Sequence, residues 1–304
     1  MSTQTKAVGW VGVGKMGEPI CRNLLKAGLE LHVFDIDPER VRSLQGEGAK
    51  PAATLAELAH GVTTVFSMVP DDRALEGIAL GPAGLLANLP AGGVYVDLST
   101  VSPEVSLKVA AQAAERNVAY LCAPVSGSTV LAQSAHLTVF ASGPAQVYSQ
   151  LETTFATFAA TRHYVGDGQQ ARYLKLAINH LVGSTAALMA EALALGRKGG
   201  LDWSMMLDVM GSSVIASPLI KYKLDLLKQR EFAPAFSASQ MLKDMTLVAD
   251  AGKSTGTVMP IADRVAEYFA DYAAHKPHAD FFGLVEEVEA RSGLQPLGRD
   301  QDKL

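Results

Sequence analysis

A glycine-rich turn near the start of the chain constrains its fold more than any other feature of the sequence. An apolar segment at residues 7–11 runs directly into Gly12-x-Gly14-x-x-Gly17, and a segment with helical character follows at residues 18–27. Glycines at this spacing allow a tight turn and a close approach of the backbone to a pyrophosphate at the N-terminus of a helix. The turn predicts a dinucleotide-binding site formed by Gly12, Val13, Gly14, Lys15, Met16 and Gly17.

An acidic residue after the second predicted strand bears on the choice of dinucleotide. The strand covers residues 29–34 and is followed by Asp35, eighteen residues after Gly17. A carboxylate at this place hydrogen-bonds the hydroxyl groups of the adenosine ribose and repels a 2′-phosphate. Because Ile36-Asp37-Pro38 comes next and contains no arginine, the sequence predicts NAD rather than NADP.

Strands and helices alternate through the first half of the chain. Further buried strands are expected at residues 62–69, 94–98, 118–123, 137–141 and 163–165. The alternation predicts a parallel, doubly wound, Rossmann-type sheet, and we assign it to a domain covering residues 1–166.

Three dipeptides lie at the ends of predicted strands, where a doubly wound sheet binds its ligands. They are Val69-Pro70, Ser99-Thr100 and Ser126-Gly127, and all three are expected to face one cleft. Two of them have a simpler interpretation when taken alone. Ser99-Thr100 also suits a helix cap, and Ser126-Gly127 also suits a plain turn.

A long segment rich in alanine and leucine follows, and it contains no proline between residues 166 and 199. It predicts one helix of roughly 30 residues, about 45 Å long, which is too long for one ordinary domain and so is expected to be shared by two. Lys175 and Asn179 lie one turn apart on one face near its start, where an ammonium and an amide can act on one small polar ligand.

The second half of the chain shows only helical patterns. They fall at residues 202–210, 213–228, 236–251 and 261–274, and they predict an all-α domain over residues 167–304. Within it, Lys221, Lys223 and Lys228 indicate a solvated face, and the loop with His275, His278 and Asp280 lacks support for a metal site. Apolar residues on several faces of the long helix favour a homodimer or homotetramer.

Composition excludes several classes of function. The net charge of −5 and the lack of a basic block argue against a nucleic-acid or anionic-membrane surface. No apolar run reaches 18 residues without a polar interruption, so no membrane span is expected. The two cysteines, Cys21 and Cys122, suggest a reducing compartment, and residues 1–6 resemble no signal peptide; a cytoplasmic protein is expected.

Five motifs in order give the chain a resemblance to the β-hydroxyacid dehydrogenase family, which includes 3-hydroxyisobutyrate dehydrogenases, tartronate semialdehyde reductases and glyoxylate/succinic semialdehyde reductases. The motifs are the glycine turn, Asp97-Leu98-Ser99-Thr100 with Pro103, Ala123-Pro124-Val125-Ser126-Gly127, Gly166-x-Gly168 with Lys175 and Asn179, and Lys243-Asp244 after Phe236. Imine reductases share this architecture but usually lack the lysine at the position of Lys175.

The resemblance implies a role for each matching residue. Lys175 matches the catalytic lysine. The residues implied at the substrate are Thr100, Ser126, Gly127 and Asn179, and those implied at the cofactor, besides the glycine turn and Asp35, are Val69, Pro70, Thr100 and Lys243. Hydride transfer at an alcohol carbon needs a group that moves the hydroxyl proton, and a lysine serves when its pKa falls from about 10.4 toward neutrality.

The resemblance therefore implies an NAD-dependent 3-hydroxyacid dehydrogenase that acts on a short carboxylate or the matching semialdehyde and needs no metal. Two alternatives stay open: an NADPH-dependent glyoxylate/succinic semialdehyde reductase, which Asp35 opposes, and a dinucleotide-binding scaffold without catalysis. The departures from the family pattern surround the implied substrate position, and they are Cys122, Ser128, Ala135-His136 and Ile178.

Overall fold

The computed structural model describes residues 7–297, and the chain divides into two compact units, Met1–Lys175 and Leu176–Leu304. The expectation for residues 1–6 lies outside the described residues. The division falls nine residues after the boundary expected at residue 166, inside one long helix, α9 (Gln170–Lys198). Each unit is described by itself below.

The first unit contains a nine-stranded sheet in the described residues. Its strands are β1 (Val8–Val11), β2 (Leu31–Phe34), β3 (Lys50–Pro51), β4 (Thr64–Ser67), β5 (Val94–Asp97), β6 (Ala119–Cys122), β7 (Val125–Ser126), β8 (Leu137–Ser142) and β9 (Ala159–Gly166). The helices between them are α1 (Gly17–Lys26), α2 (Pro38–Gln45), α3 (Leu55–His60), α4 (Asp72–Ala79), α5 (Leu85–Asn88), α6 (Pro103–Glu115), α7 (Thr129–Gln133) and α8 (Ala145–Ala156).

The order of the strands confirms the predicted doubly wound sheet. Strands β3-β2-β1-β4-β5-β6 are parallel neighbours, the order typical of dinucleotide-binding folds. The sheet then continues through β8, which pairs antiparallel with β6 and β7 and parallel with β9. The strand order reverses between β1 and β4, and ligands bind at the carboxyl ends of strands at such a reversal.

The central strands are apolar because helices cover both faces of a parallel sheet. All four residues of β1 are buried, and the ring of Trp10 stacks on that of Phe66 with centroids 5.9 Å apart. Phe155 of α8 meets Phe66 edge to face, so the core joins the sheet to its later helices. This core holds the strand ends in fixed positions.

The second unit is helical throughout its described residues, as predicted. After α9 come α10 (Trp203–Ser212), α11 (Pro218–Gln229), α12 (Ala238–Thr255), α13 (Pro260–His275), a short 3-10 turn (Phe281–Gly283) and α14 (Leu284–Arg291). Asp202 caps α10 by accepting a hydrogen bond from the backbone N–H of Met205.

The long helix α9 has 29 residues, in agreement with the predicted single helix. It is the one helix in residues 7–297 that is long and apolar enough to cross a membrane, and 44% of its apolar window is buried. Core helices of globular proteins have the same length and composition, so this property is weak support for a span.

Two boundaries of the described helices differ from those predicted by more than two residues. Helix α11 begins at Pro218 after the cap residue Ser217, five residues later than expected, because a serine cap followed by proline sets the start. Helix α12 continues through Gly252 and ends at Gly256, whose φ of 69° is favourable for glycine. At Gly252 a Cβ would lie 2.9 Å from the sulfur of Met259, so this glycine serves close packing rather than helix termination.

The predicted solvated face of lysines is wrong at Lys223. This side chain is buried, and its Nζ donates a hydrogen bond of 2.7 Å to Oδ2 of Asp280. The ammonium also lies 4.9 Å from the ring centroid of Phe281 and 5.6 Å from that of Phe282. Lys221 is exposed, as expected. Asp280 is thus the partner of a buried lysine.

Candidate functional site

The glycine turn between β1 and α1 gives each of its three glycines a separate physical task. Gly12 has a φ of 95°, and a Cβ there would lie 2.2 Å from the carbonyl oxygen of Met68. A Cβ at Gly17 would lie 2.0 Å from the carbonyl oxygen of Gly12, so the chain can close there only without a side chain. At Gly14 a Cβ would meet no described atom within 4 Å. Gly14 therefore borders open space that a pyrophosphate can enter.

Asp35 is tied to this turn by its carboxylate. Its Oδ2 accepts a hydrogen bond of 2.7 Å from the backbone N–H of Val13, and its Oδ1 accepts one of 2.9 Å from that of Asp37. The end of β2 is thereby held beside the turn that follows β1. This arrangement brings together the predicted ribose-binding carboxylate and the predicted pyrophosphate-binding turn.

Arg40 is a neighbour of Asp35 that the sequence argument overlooked. Its Nη1 lies 4.0 Å from Oδ2 of Asp35 and its Nε lies 3.3 Å from Oδ2 of Asp37, while about half of the side chain is exposed. Residues 36–38 contain no arginine, but the first turn of α2 returns Arg40 to Asp35. The absence of an arginine from that tripeptide therefore does not exclude a 2′-phosphate.

Ser99 connects two of the loops that follow strands in the first unit. Its Oγ donates a hydrogen bond of 2.6 Å to Oδ1 of Asp97 and accepts one of 2.9 Å from the backbone N–H of Val69. The cap of α6 is Ser102, whose Oγ accepts from the backbone N–H of Val105. The interpretation of Ser99-Thr100 as a helix cap is therefore wrong, and the structure brings Val69 and Ser99 together after β4 and β5.

Ser126 and Gly127 occupy a different setting from the one expected. Ser126 ends β7, a short strand that pairs antiparallel with β8. Gly127 has a φ of 139°, and a Cβ there would lie 2.6 Å from Cδ2 of Leu137. Ser128 then caps α7 by accepting a hydrogen bond from the backbone N–H of Leu131. Ser126-Gly127 therefore lies at the end of the short antiparallel strand β7, and not at the end of one of the parallel strands.

Lys175 lies at the end of the first unit and is half-buried in the second turn of α9. Three residues before it, Arg172 is almost completely buried and pairs with Asp97. Arg172 belongs to none of the motifs in the sequence. The local sign that Arg172 is buried is its place in the chain between Ala171 and Leu176, both of which are buried.

The second unit brings three of the expected residues into one polar cluster. The buried side chain of Asn179 donates a hydrogen bond of 2.5 Å from Nδ2 to Oδ2 of Asp244. The Nζ of Lys243 lies 2.9 Å from Oδ1 of the same carboxylate. Asp244 therefore orients the amide of Asn179 and neutralises part of the charge of Lys243.

The chain matches two families of known domains, and the matches meet at residue 166. Residues 7–166 match the NAD binding domain of 6-phosphogluconate dehydrogenase. Residues 166–288 match a domain described as the NAD-binding domain of NADP-dependent 3-hydroxyisobutyrate dehydrogenase. Together the two matches cover nearly all of the described residues.

Individual relatives carry related names. The chain is 32% identical to 2-(hydroxymethyl)glutarate dehydrogenase of Eubacterium barkeri over 96% of its own length and 97% of that protein. It is 36% identical to 3-hydroxyisobutyrate dehydrogenase of Pseudomonas aeruginosa over 68% of its length and 69% of that protein. Among solved structures, Psf3 in complex with NADP+ and 2-OPP is 27% identical, with a TM-score of 0.84 over 92% of this chain and 99% of that one.

Proposed function

Because the chain belongs to the β-hydroxyacid dehydrogenase family, we propose that it transfers a hydride between NAD(H) and a short 3-hydroxy carboxylate or the matching semialdehyde. The observation that carries this proposal is the turn at the reversal point of the sheet. Gly14 borders open space there, and Asp35 is bound to the backbone of the same turn. A dinucleotide is the ligand for which such a turn and such a carboxylate are typical.

Lys175 is the proposed general acid and base. In the direction of oxidation, its neutral amine takes the proton of the substrate hydroxyl as the C–H bond breaks and the hydride leaves. In the direction of reduction, its ammonium returns the proton to the new alkoxide. The nicotinamide, when bound, supplies or accepts the hydride. The ammonium also stabilises negative charge that develops on the substrate oxygen.

The residues proposed at the substrate are Thr100, Ser126, Gly127 and Asn179. Hydroxyl groups and backbone N–H groups at Ser126 and Gly127 suit a carboxylate, because they donate hydrogen bonds to an anion. One N–H of the Asn179 amide donates to Asp244, so its second N–H and its oxygen are the groups that it can offer to a substrate. Val69, Pro70 and Lys243 are proposed at the cofactor.

A second candidate, an NADPH-dependent reductase of glyoxylate or succinic semialdehyde, gains support from Arg40. A guanidinium beside the ribose position can bind a 2′-phosphate, as an arginine does in NADP enzymes. In this chain Arg40 is paired with two carboxylates, Asp35 and Asp37, so a 2′-phosphate would meet negative charge as well as positive. We therefore keep NAD as the proposed cofactor.

The experiment is a set of initial rates with NAD and with NADP against 3-hydroxyisobutyrate, 2-(hydroxymethyl)glutarate, glycerate, 4-hydroxybutyrate, serine and 3-hydroxypropionate. An NAD-dependent rate on one of them supports the proposal and names the substrate. A rate with NADP alone favours the second candidate. Tight NAD binding with no turnover on any substrate favours a binding scaffold without catalysis.

We also propose that the protein associates with further copies of itself through α9. Leu181, Leu188 and Leu195 are spaced by seven residues and are 68%, 65% and 75% exposed, which is unusual for leucine. Leucines at this spacing form one stripe that can pair with the same stripe of a second copy. Analytical ultracentrifugation is expected to show a dimer or tetramer, and Leu188→Glu is expected to shift it toward monomer. A monomeric wild-type protein contradicts the proposal.

A further inference from the structure

The buried guanidinium of Arg172 donates four hydrogen bonds to other residues of the first unit. Its Nη2 donates to Oδ2 of Asp97 at 2.5 Å and to the hydroxyl of Tyr120 at 3.0 Å. Its Nη1 donates to the carbonyl oxygen of Ser99 at 2.5 Å, and its Nε donates to Oγ of Ser106 at 3.0 Å. One side chain of α9 is thereby joined to β5, α6 and β6.

The carboxylate of Asp97 extends this connection to the loops after β4 and β5. Its Oδ1 accepts hydrogen bonds of 2.7 Å from Oγ of Ser67 and 2.6 Å from Oγ of Ser99. Ser99 in turn accepts from the backbone N–H of Val69, and Thr100 is the next residue in the chain. Val69 and Thr100 are the residues proposed to line the cofactor, so the network ends where the nicotinamide is expected.

The same network sets the position of the helix that carries Lys175. Arg172 and Lys175 are three residues apart on α9, which corresponds to a rise of about 4.5 Å along the helix axis. Because both belong to one helix, the hydrogen bonds that hold Arg172 in place also fix the turn that carries Lys175. Two weaker contacts act at the same end of the helix. The backbone N–H of Ala171 donates to Oγ of Ser142, and the thiol of Cys122 donates to the side chain of Gln169.

Arg172 stays charged and Tyr120 stays neutral near neutral pH. Burial on its own lowers the pKa of the Arg172 guanidinium, but the electrostatic attraction of its neighbours, Asp97 among them, raises that pKa above its already high usual value. Burial also raises the pKa of the Tyr120 hydroxyl, which therefore stays protonated. A planar guanidinium with fixed donors is more suitable than a lysine for this geometry.

We propose that Arg172 is a positioning residue for the reaction: with Asp97 and Ser99 as partners, it holds Lys175 in a fixed position relative to the Val69 and Thr100 loops. This inference rests on the proposed function, in which Lys175 moves the substrate proton. Arg172 itself touches neither substrate nor cofactor in this account. It acts through the position of the helix.

The main test is Arg172→Lys, which keeps the charge but loses the fork of donors. We expect kcat to fall by about 100-fold, because a displacement on the order of 1 Å is enough for such a loss. The dissociation constant of NAD is expected to stay close to that of the wild-type protein. The primary deuterium isotope effect on kcat should rise and the pH profile of kcat should shift, because proton and hydride transfer become slower than the other steps.

A matched control is Arg230→Lys in the second unit. Arg230 also makes a two-pronged, largely buried ion pair, with 3.2 Å and 2.6 Å hydrogen bonds to the carboxylate of Glu289. The same substitution there is expected to lower stability while leaving kcat, its pH profile and the isotope effect unchanged. Equal kinetic effects at Arg172 and Arg230 would overturn the assignment, because they would reflect a general loss of stability.

A milder variant keeps the inference testable if Arg172→Lys does not fold. Ser99→Ala removes the bridge between Asp97 and Val69 but keeps the ion pair, and we expect kcat to fall by about tenfold, the value of one good hydrogen bond.

Lys175→Met is measured in parallel. If Lys175→Met is inactive while Arg172→Lys and Ser99→Ala keep the wild-type kcat, the positioning role is wrong and the proposed function stands. If Lys175→Met keeps its turnover, the proposed role of the lysine is itself wrong.

Discussion

The two units both bury charged side chains, but they do so in different surroundings. In the first unit, Arg172 and Asp97 lie among hydroxyl groups at the ends of the parallel strands, and their hydrogen bonds lead to Ser99 and Val69. In the second unit, Lys223 and Asp280 lie against aromatic rings between α11 and the 3-10 turn. The hydrogen bonds of the first pair lead to residues that are proposed to bind the cofactor. The second pair joins parts of the helical core.

A further buried cluster in the second unit has the same structural character. Glu289 of α14 pairs with Arg197 at the end of α9 and with Arg230 after α11, whose guanidinium also lies 4.9 Å from the ring of Trp203. The difference teaches that buried charge alone does not mark a functional site. In this chain the residues that each buried pair is joined to distinguish the two cases. Substitutions at Arg172 or Asp97 should therefore alter kinetics, and those at Lys223 or Glu289 should alter stability.

The largest effect on stability is expected for Lys223→Met. Removing one partner leaves the buried Asp280 without its counter-charge, a change that typically costs 3–5 kcal/mol, so roughly that loss is expected in the free energy of unfolding. Urea denaturation measures it. The kcat of the folded variant should equal that of the wild type, and the neighbouring exposed change Lys221→Met should alter neither quantity. A large loss of kcat without any loss of stability would contradict the structural role given to Lys223 and Asp280.

In the first unit, the substitution Gly14→Ala should weaken ligand binding without lowering stability. Because a Cβ there meets no described atom within 4 Å, Gly14→Ala should leave the free energy of unfolding nearly unchanged. The added methyl occupies the space proposed for the pyrophosphate, so the dissociation constant of NAD should rise at least tenfold, or about 1.4 kcal/mol. Isothermal titration with NAD measures this. Unchanged affinity would mean that the pyrophosphate does not approach Gly14.

Gly77 gives a control within the same unit and with the same substitution. It is exposed on α4, and a Cβ there also meets no described atom within 4 Å. Gly77→Ala should stabilise the protein by about 0.5–1 kcal/mol, the usual gain of alanine over glycine inside a helix, and should leave NAD binding unchanged. Thermal unfolding with and without NAD distinguishes this result from that for Gly14→Ala.

The smallest effect concerns Cys21, which is completely buried on α1. Burial raises the pKa of its thiol well above the usual value, and the thiolate is the reactive form. At pH 8 the folded protein should therefore show almost no labelling of the Cys21 peptide by an alkylating reagent, with full labelling in urea. Rapid labelling of the native protein would indicate that the core of the first unit opens readily.

Much of this fold could be predicted because its signals are local. The glycine turn, Asp35, the alternation of strands and helices and the long α9 all follow from residues close together in sequence. The buried pairs do not, because Arg172 is 75 residues from Asp97 and Lys223 is 57 residues from Asp280. No spacing rule identifies such partners, so Lys223 was assigned to the surface. Arg40 was missed for a simpler reason, since only three residues after Asp35 were considered.

The proposed role of Lys175 in moving the substrate proton can be tested by one substitution. Lys175→Met is compared with the wild type in NAD binding and in the rate of hydride transfer on the substrate found by the initial-rate panel. We expect unchanged NAD binding and a loss of about 10²–10⁴ in kcat, the usual contribution of a general acid or base. Turnover close to that of the wild type, with NAD binding intact, would contradict it.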